Sequence, residues 1–414
     1  MIEENNPKKG IPAPIAAIII IAMVWLGSQT SSWFSNDIEV IYEDSSSQIA
    51  PDLSEGIEWL TYHGGTALTG EVDMDLPDSP EVLWRYQANS GVLFPPVADD
   101  STIYFAAVKG DIIAVDLMGQ EQWKHRYLQE PYVDGRERTE RFDAPMALFQ
   151  DRVYAGTMSG LLYSFDKVTG ETTWTYDVGG AVLGSVNFHG YGDDAQVFIV
   201  EQGEGALHSL RYADGELLWD TEGVERCDGS PSVRDGQIVY GSCAAALHVI
   251  SVNEKKHIKD ITFDEESQVA GGVAIVENSA FSGSYSGRVF RVNLSTGDVV
   301  WTNEDSEDEI FTTPAVDDNW VIVSSFDGFV YGLDKATGEK KWSFDSLGTP
   351  KSPVIAQDKV VVTSDGLLYI LSLETGEELW SYEVSDEISA PALYHNMIVV
   401  GSEDGSVTAF GYKG

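Results

Sequence analysis

The sequence predicts an all-β protein, an eight-bladed β-propeller of four-stranded antiparallel blades whose N-terminal strand closes the last blade, preceded by one transmembrane helix. Three observations support this prediction. Tryptophan recurs about every 40 residues, hydrophobic residues alternate within each repeat as they do in strands, and the chain before the first repeat supplies a strand that the last repeat lacks. A period of roughly 40 residues with four short strands per unit is typical of propellers.

The first element is an apolar segment near the N-terminus. Residues 11–26 read IPAPIAAIIIIAMVWL and contain no charged side chain, and a helix of roughly 20 residues spans a bilayer. Lys8 and Lys9 precede the segment and acidic residues follow it, so the positive-inside rule places residues 1–10 in the cytoplasm and the later chain outside. We therefore expect a signal-anchor helix over residues 11–28, with a cleaved signal peptide as the alternative.

A linker follows the apolar segment. Residues 29–57 are polar, acidic and rich in serine, which is typical of a flexible tether. The stretch KKGIPAPIAAIIII, residues 8–21, also resembles an archaeal pilin-type signal, and that resemblance implies cleavage after Gly10 with the helix retained. Residues 58–414 remain as the propeller domain.

Seven tryptophans mark the repeat. They are Trp84, Trp123, Trp174, Trp219, Trp301, Trp342 and Trp380. The interval of 82 residues between Trp219 and Trp301 is twice the usual one, and aligning VNEKKHI with the other repeats puts Ile258 in the missing slot. Eight slots predict eight blades, with seven as the fallback, and each indole is expected to dock against a neighbouring blade.

Each repeat has the pattern of a strand hairpin. In GFVYGLDKATGEKKWSF, residues 328–344, apolar residues alternate up to Asp334, whose carboxylate can accept hydrogen bonds in a turn that Gly338 ends. After Trp380 only 34 residues remain, enough for three strands, whereas SPEVLWRYQA at residues 79–88 is a lone fourth strand. The two ends of the chain are therefore expected to share the last blade, which removes an exposed edge.

Charge excludes one class of partner. Acidic residues outnumber basic ones by 67 to 25, giving a formal net charge of -42, and such a field repels the phosphate backbone of nucleic acids. The acidity indicates either a host in salty surroundings or a surface kept soluble by self-repulsion.

The repeated phrase resembles a known family. The pattern A-x-D-x-x-T-G-x-x-x-W, matched well by residues 166–174, 293–301, 334–342 and 374–380, is similar to the tryptophan-docking repeat of the PQQ-like, or quinoprotein-type, eight-bladed propellers. WLTYHGGTALTG at residues 59–70 resembles the lead-in of many members. In length and layout the chain is most similar to the BamB-type members, membrane-tethered accessory lipoproteins of outer-membrane assembly, although it lacks their lipid-bearing cysteine.

The resemblance also bears on catalysis. Quinoprotein dehydrogenases of this family hold PQQ and calcium in the central channel, beside a disulfide between two adjacent cysteines. In this sequence the two cysteines, Cys227 and Cys243, are 16 positions apart, and the seven histidines show no metal-ligand spacing. We therefore predict no catalytic residues, no cofactor and no metal site.

The two cysteines are expected to form a disulfide of their own. A hairpin turning at Asp235–Gly236 sets them nearly opposite each other, and an extracytoplasmic location permits oxidation. Two buried free thiols are the alternative.

An insertion between Trp123 and Trp174 is the candidate binding segment. HRYLQEPYVDGRERTERFDA, residues 125–144, gathers basic and aromatic side chains in an otherwise acidic protein, a composition typical of interface hot spots. The candidate partner-binding residues are Arg126, Arg136, Arg138, Arg141 and Tyr132. A surface loop whose arginines pair with neighbouring acidic residues is the alternative.

The function predicted from these features is a membrane-anchored, extracytoplasmic propeller that acts as a non-catalytic scaffold. Its expected partners are other proteins or cell-surface glycans, with the membrane held through the N-terminal helix and no nucleic acid bound. A PQQ- and calcium-dependent dehydrogenase and a pilin-like subunit of a surface filament are the alternatives.

Overall fold

Eight antiparallel sheets follow one another along the chain in the computed structural model, which describes residues 59–129 and 138–413. Short strands form because apolar and β-branched residues alternate with polar ones, and turns at Gly, Asn and Asp separate them. The predicted eight-bladed propeller of four-stranded blades is confirmed. Among the described residues no helix is long and apolar enough to cross a membrane, and the predicted anchor helix and linker lie outside them.

Blades 1 to 4 each use four consecutive strands, which run in order from the innermost to the outermost. Their strands are β3 (Val97–Ala98), β4 (Thr102–Ala107), β5 (Asp111–Asp116) and β6 (Glu121–Arg126); β7 (Ala147–Phe149), β8 (Arg152–Gly156), β9 (Leu161–Asp166) and β10 (Thr172–Asp177); β11 (Asn187–His189), β12 (Gln196–Val200), β13 (Leu207–Arg211) and β14 (Leu217–Asp220); and β15 (Ser232–Arg234), β16 (Gln237–Ser242), β17 (Ala246–Ser251) and β18 (Lys256–Thr262).

Blades 5 to 7 repeat this order, and blade 8 combines the two ends of the chain. Their strands are β19 (Ala274–Val276), β20 (Ser279–Gly283), β21 (Val289–Asn293) and β22 (Val299–Asn303); β23 (Ala315–Val316), β24 (Trp320–Ser324), β25 (Phe329–Asp334) and β26 (Lys340–Asp345); β27 (Val354–Ala356), β28 (Lys359–Ser364), β29 (Leu367–Ser372) and β30 (Glu378–Glu383), with β1 (Glu71–Val72) beside β27; and β31 (Ala392–Tyr394), β32 (Met397–Gly401), β33 (Ser406–Gly411) and β2 (Glu81–Gln87).

The closure predicted from the sequence is confirmed. Strand β2 pairs antiparallel with β33 and places Trp84 opposite Ala409. The strand that precedes the first complete blade therefore becomes the outer strand of the last one, and the ring is sealed by backbone hydrogen bonds instead of leaving an open edge.

A β-bulge recurs in the outer strand of every blade, immediately before the tryptophan position. In blade 6, Trp342 pairs with Gly332 and Lys340 with Leu333, which leaves Lys341 as the extra residue. The bulge adds one residue to the outer strand, so residues three apart across it face the same side of the sheet.

The bulge corrects one prediction. In blade 4, Lys259 pairs with Val249 and His257 with Ile250, so the extra residue is Ile258 and the tryptophan slot belongs to Lys259. The assignment of Ile258 to that slot was wrong, because matching the loop lengths alone does not show which residue the strand skips. Ile258 is 44% exposed.

The hydrophobic core is distributed between blades. Each blade contributes buried valine, isoleucine and leucine from its second and third strands, and the clusters join neighbouring sheets; one unites the closing blade with blades 1 and 7. The lower face of the ring is defined as the one with the turns between the first and second and between the third and fourth strands. The upper face carries the remaining turns and the loops that join blades.

Candidate functional site

Five of the seven repeat tryptophans contact the next blade in the same way. The indole N–H of Trp342 donates to the carbonyl of Leu373 at 2.9 Å, and its ring packs on Gly376, where a Cβ would lie 2.5 Å from the indole. The others are Trp84, Trp123, Trp174 and Trp301, bonded to the carbonyls of Leu117, Lys167, Tyr212 and Lys335. In each case the indole packs on a turn glycine of the next blade, since only glycine leaves room for the ring. These glycines are Gly119, Gly170, Gly215, Gly338 and Gly376, and three of them, Gly170, Gly338 and Gly376, each follow a threonine.

The remaining slots differ because the next turn differs. Trp219 donates to Gln196 within its own blade, and the following turn in blade 4, within residues 251–257, contains no glycine. Lys259 takes over the tryptophan role in blade 4: its ammonium donates to the carbonyl of Ser295 in the next blade at 2.9 Å. Trp380 packs on Tyr382 and Phe410 near the closing strand.

Residues 59–70, the axial segment, bind the innermost strands of seven blades. Trp59 exchanges two hydrogen bonds with Ala98 of blade 1. Inner-strand amides of blades 2, 4, 5, 6 and 7 donate, in that order and at 2.7–2.9 Å, to the carbonyls of Leu60, Thr66, Ala67, Thr69 and Gly70. In blade 3 the Asn187 side chain donates to Thr66. The segment therefore satisfies inner-edge donors that would otherwise face the axis of the ring unpaired.

Two side chains of the axial segment fill its surroundings. The hydroxyl of Tyr62 contacts Thr313, and burial raises its pKa to about 12. The ring nitrogens of His63 face the carbonyls of Leu68 at 2.9 Å and Pro353 at 2.8 Å, and burial lowers its pKa. The axis is therefore occupied by protein groups that are already hydrogen-bonded to one another.

This arrangement does not fit the PQQ and calcium pair of quinoprotein dehydrogenases. Calcium takes six to eight oxygen ligands, mostly from carboxylates and carbonyls, whereas Tyr62 and His63 present a phenol and an imidazole. The cysteines are not adjacent in sequence, so the disulfide between neighbouring residues that accompanies the cofactor cannot form.

The described residues of the insertion between blades 1 and 2, 125–129 and 138–144, lie on the upper face. Arg126 binds Asp111 through two hydrogen bonds of 2.6 and 2.8 Å, and Arg141 pairs with Asp143 at 2.5 Å. Burial opposes ionisation of Asp111, but hydrogen bonds from Arg126 and Asn89 and the positive charges of Arg126 and Lys124 together outweigh burial and hold its pKa below the usual range. Arg138 lies on the stem of the insertion, where its carbonyl accepts from Gln129.

Two members of the predicted binding set and two further aromatic residues of the insertion remain. Arg136 and Tyr132 lie outside the described residues. The aromatic residues Tyr127 and Phe142 turn inward: the Tyr127 hydroxyl donates to the carbonyl of Gly170, and Phe142 is fully buried. These two rings anchor the insertion and offer nothing to a partner.

Cys227 and Cys243 are free thiols in the structure, Cys227 buried and Cys243 partly exposed. They lie near each other, because the amide of Cys243 donates to the carbonyl of Arg226. Burial, followed by the neighbouring Cys243, raises the pKa of Cys227. The disulfide stays a prediction.

An aromatic trio on the upper face was not predicted. Phe311 contacts Tyr285 with ring centroids 4.3 Å apart and Phe326 with centroids 4.7 Å apart, both edge to face. Phe326 is 42% exposed. The three residues come from the turns of blades 5 and 6 and the loop joining them, so no single stretch of sequence displays the cluster.

A polar triad in blade 4 was also missed. The Nε2 atom of His248 lies 2.7 Å from the hydroxyl of Ser242, and its Nδ1 lies 2.6 Å from Asp260. A serine, a histidine and an aspartate linked in this way by hydrogen bonds form the catalytic triad of many hydrolases. Here, however, Ser242 is fully buried, and its hydroxyl oxygen accepts a hydrogen bond from the amide of Ala244. No substrate could reach this hydroxyl, so the triad does not provide a nucleophile.

Ring closure, indole docking on turn glycines and an axial segment bound to seven blades together define an eight-bladed propeller of the quinoprotein type. A family model described as outer membrane protein assembly factor BamB matches residues 119–191, 249–387 and 346–413, more than half of the chain. The chain belongs to this family.

Individual relatives are distant. Outer membrane protein assembly factor BamB of Yersinia pestis is 22% identical over 247 residues, 55% of this chain and 61% of the relative. The chain spans about three fifths of the length of the curated relatives it matches.

Solved structures share the fold. BamB from Moraxella catarrhalis superposes with a TM-score of 0.67 at 17% identity, covering 80% of this chain and 100% of that one. Quinohemoprotein alcohol dehydrogenase from Comamonas testosteroni gives a TM-score of 0.69 at 13% identity, covering 86% of this chain and 80% of the enzyme.

Proposed function

We propose that this propeller is a membrane-anchored, extracytoplasmic scaffold that binds other proteins and catalyses no reaction. The observation that carries the proposal is the axial segment, whose contacts with seven blades leave the centre of the ring to Tyr62 and His63. With the axis occupied, binding falls to the outer faces. Membership of the BamB family supports a role in assembling envelope proteins.

We assign the partner site to the upper face. This face carries the exposed Phe326 with its neighbours Tyr285 and Phe311, and the insertion with Arg138 and Arg141. Aromatic and arginine side chains are enriched at the centres of protein interfaces.

Site-specific crosslinking tests the assignment. A photoreactive residue replaces Phe326 on the upper face, with Tyr191 on the lower face as the matched control because it is 84% exposed. In native membranes we expect protein adducts from position 326 and few from 191, identified by mass spectrometry. Adducts confined to position 191 would contradict the assignment, and adducts with glycans alone would replace the protein partner by a carbohydrate.

Arginine reversal tests the insertion separately. Replacing Arg136, Arg138 and Arg141 together by glutamate should remove partners from a pull-down if the insertion binds an acidic protein surface. Unchanged partners would assign those arginines to pairing within the loop, as Arg141 already pairs with Asp143.

N-terminal sequencing of the mature protein tests the anchor. An intact Met1 is expected for a signal anchor. A start immediately after Gly10 would indicate pilin-type processing and a filament subunit, and a start beyond residue 28 would mean a cleaved signal peptide and no anchor.

A further inference from the structure

Three potential metal ligands meet on the outer flank of blade 4. His248, His257 and Asp260 each offer one ligand atom, and these atoms all lie within 4.8 Å of one another. The Oδ1 atom of Asp260 is 2.6 Å from Nδ1 of His248 and 2.7 Å from Nε2 of His257. Among the described residues this is the one such group of histidine, cysteine and carboxylate side chains.

Hairpin pairing and the bulge explain the convergence. His248 on β17 stands directly opposite Asp260 on β18, so their side chains share one face of the sheet. His257 is three residues before Asp260 and would face the other side of a regular strand. The extra residue Ile258 brings it back to the same face.

The shell behind the cluster suits a metal-ligating imidazole. Nε2 of His248 lies 2.7 Å from the hydroxyl of Ser242, and a ligating histidine usually gives its other ring nitrogen such a partner. His257 and Asp260 are partly exposed, with 35% and 44% of their side-chain surfaces open.

A pocket in front of the cluster gives an ion access. Its volume is about 520 Å³, and it lies between the outer strands of blades 3 and 4, with Asp220 and Thr221 on the opposite wall. Thr221 stands two residues after Trp219, where blades 2, 6, 7 and 8 have the aromatic residues Tyr176, Phe344, Tyr382 and Tyr86. In blade 2 the corresponding Tyr176 reaches across and bonds to His208 of blade 3, so the small threonine opens the space in front of blade 4.

Blade 3 provides an internal comparison. His208 stands opposite Asp220 there, as His248 stands opposite Asp260 in blade 4, but Leu217 occupies the position of His257. Blade 3 therefore has two of the three ligands, and Tyr176 covers them. The third ligand and the open pocket occur together in blade 4.

We propose that Nδ1 of His248, Nε2 of His257 and a carboxylate oxygen of Asp260 bind a divalent transition-metal ion, with zinc the expected occupant. Two imidazoles and one carboxylate match the ligands of zinc and its neighbours, whereas calcium and magnesium prefer oxygen alone. Ligand atoms about 2.0 Å from a tetrahedral ion stand about 3.3 Å apart. The Oδ1 atom of Asp260 must therefore move less than about 1 Å further from each imidazole nitrogen, and the two nitrogens, which lie within 4.8 Å of each other, must take the same spacing. The fourth position opens to the pocket and is left for water or a group from a partner.

The test uses the full chain in detergent, stripped of metal and titrated with Zn²⁺ against a chromogenic chelator. Cys227 and Cys243 are both replaced by serine in every protein compared, because thiolates also bind zinc. We expect one Zn²⁺ per chain and visible absorption bands of tetrahedral geometry when Co²⁺ is used instead. Zinc should also raise the melting temperature.

Variants then locate the ion. His257→Ala changes a partly exposed side chain and should weaken Zn²⁺ binding at least about tenfold, as should Asp260→Asn. His208→Ala in blade 3 is the matched control and should leave affinity and stoichiometry unchanged. Zinc binding that is absent at micromolar concentrations, or that survives His257→Ala with unchanged affinity, would overturn the proposal.

Discussion

Replacing Gly376 by alanine measures what the docked indole requires of the neighbouring turn. Gly376 has φ +69°, and an added Cβ would lie 2.5 Å from the ring of Trp342. The left-handed backbone costs an L-residue about 1–2 kcal/mol, and forcing a methyl group into a packed contact adds about 1–3 kcal/mol. We therefore expect Gly376→Ala to lower the free energy of unfolding by about 2–5 kcal/mol.

A second glycine separates the two contributions. Gly236 has φ +74°, but an added Cβ there would meet nothing nearer than the Asn253 side chain at 3.4 Å. Gly236→Ala should therefore cost only the backbone term, about 1–2 kcal/mol. The difference between the two variants isolates the collision with the indole.

The assay is guanidinium unfolding of the full chain followed by far-ultraviolet circular dichroism, which does not depend on tryptophan emission. Combining Gly376→Ala with Trp342→Leu closes a double-mutant cycle, and the pair should cost at least about 1 kcal/mol less than the sum of the single changes. Equal losses for the two glycine variants, or strict additivity in the cycle, would refute the account of docking.

Three further outcomes are expected. Lys259→Trp should stabilise the protein by about 1–3 kcal/mol in the same unfolding assay by restoring a docked indole, whereas Ile258→Trp should not; the reverse order would contradict the assigned bulge. Arg126→Ala should lower the unfolding midpoint at neutral pH by leaving a buried carboxylate unpaired. Because the pKa of that carboxylate is depressed in the folded state, this difference should begin to shrink as the pH falls below the ordinary aspartate pKa of about 4 and should vanish below the depressed folded pKa. A difference independent of pH would exclude the ion pair. Thiol labelling of the unfolded, unreduced protein should find Cys227 and Cys243 blocked by their predicted disulfide, and two labelled thiols would rule it out.

The blade count and the closure could be predicted from the sequence because both depend on repetition. An indole about every 40 residues reports the number of sheets without any knowledge of their contacts. The sequence likewise shows one extra strand around Trp84 before the first repeat and one strand too few in the last repeat, and these two departures predict the closure. Because the tryptophan position recurs in eight blades, the period can still be recognised although blade 4 lacks the tryptophan.

The docking residue of blade 4 could not be found in the same way. The segment is one residue shorter than its counterparts, and an alignment can place the gap before or after Ile258. In the structure Ile258 is the extra residue of the β-bulge, and Lys259 occupies the tryptophan position with its side chain directed at Ser295. A lysine ammonium then makes the hydrogen bond that an indole N–H makes elsewhere.

The histidine cluster was missed for a related reason. His248, His257 and Asp260 follow none of the spacings typical of metal-binding helices or fingers. They converge through cross-strand pairing and a bulge, and both depend on the register of one hairpin. A hairpin alignment with an extra residue at Ile258 would have revealed them.

The insertion shows the limit of composition. Arginine beside aromatic residues predicted an exposed binding loop, but Tyr127 and Phe142 belong to the core. Glu140, expected to pair with an arginine, is buried and accepts hydrogen bonds from Ser159 and Tyr163. Composition cannot show which side chains of a loop turn inward, because that depends on the neighbouring blade.

The axial segment has a consequence for biosynthesis. The ribosome makes residues 59–70 before all of the inner strands that they bind. The last inner-strand partner, Ile355, is added some 285 residues after Gly70. The partner of strand β2 is made later still, because β33 lies near the end of the chain. A nascent chain of half length can therefore pair the axial segment with blades 1 to 3 alone. The carbonyls of Ala67, Thr69 and Gly70 and the whole of strand β2 still lack their partners, so the ring can be completed only once translation is nearly finished.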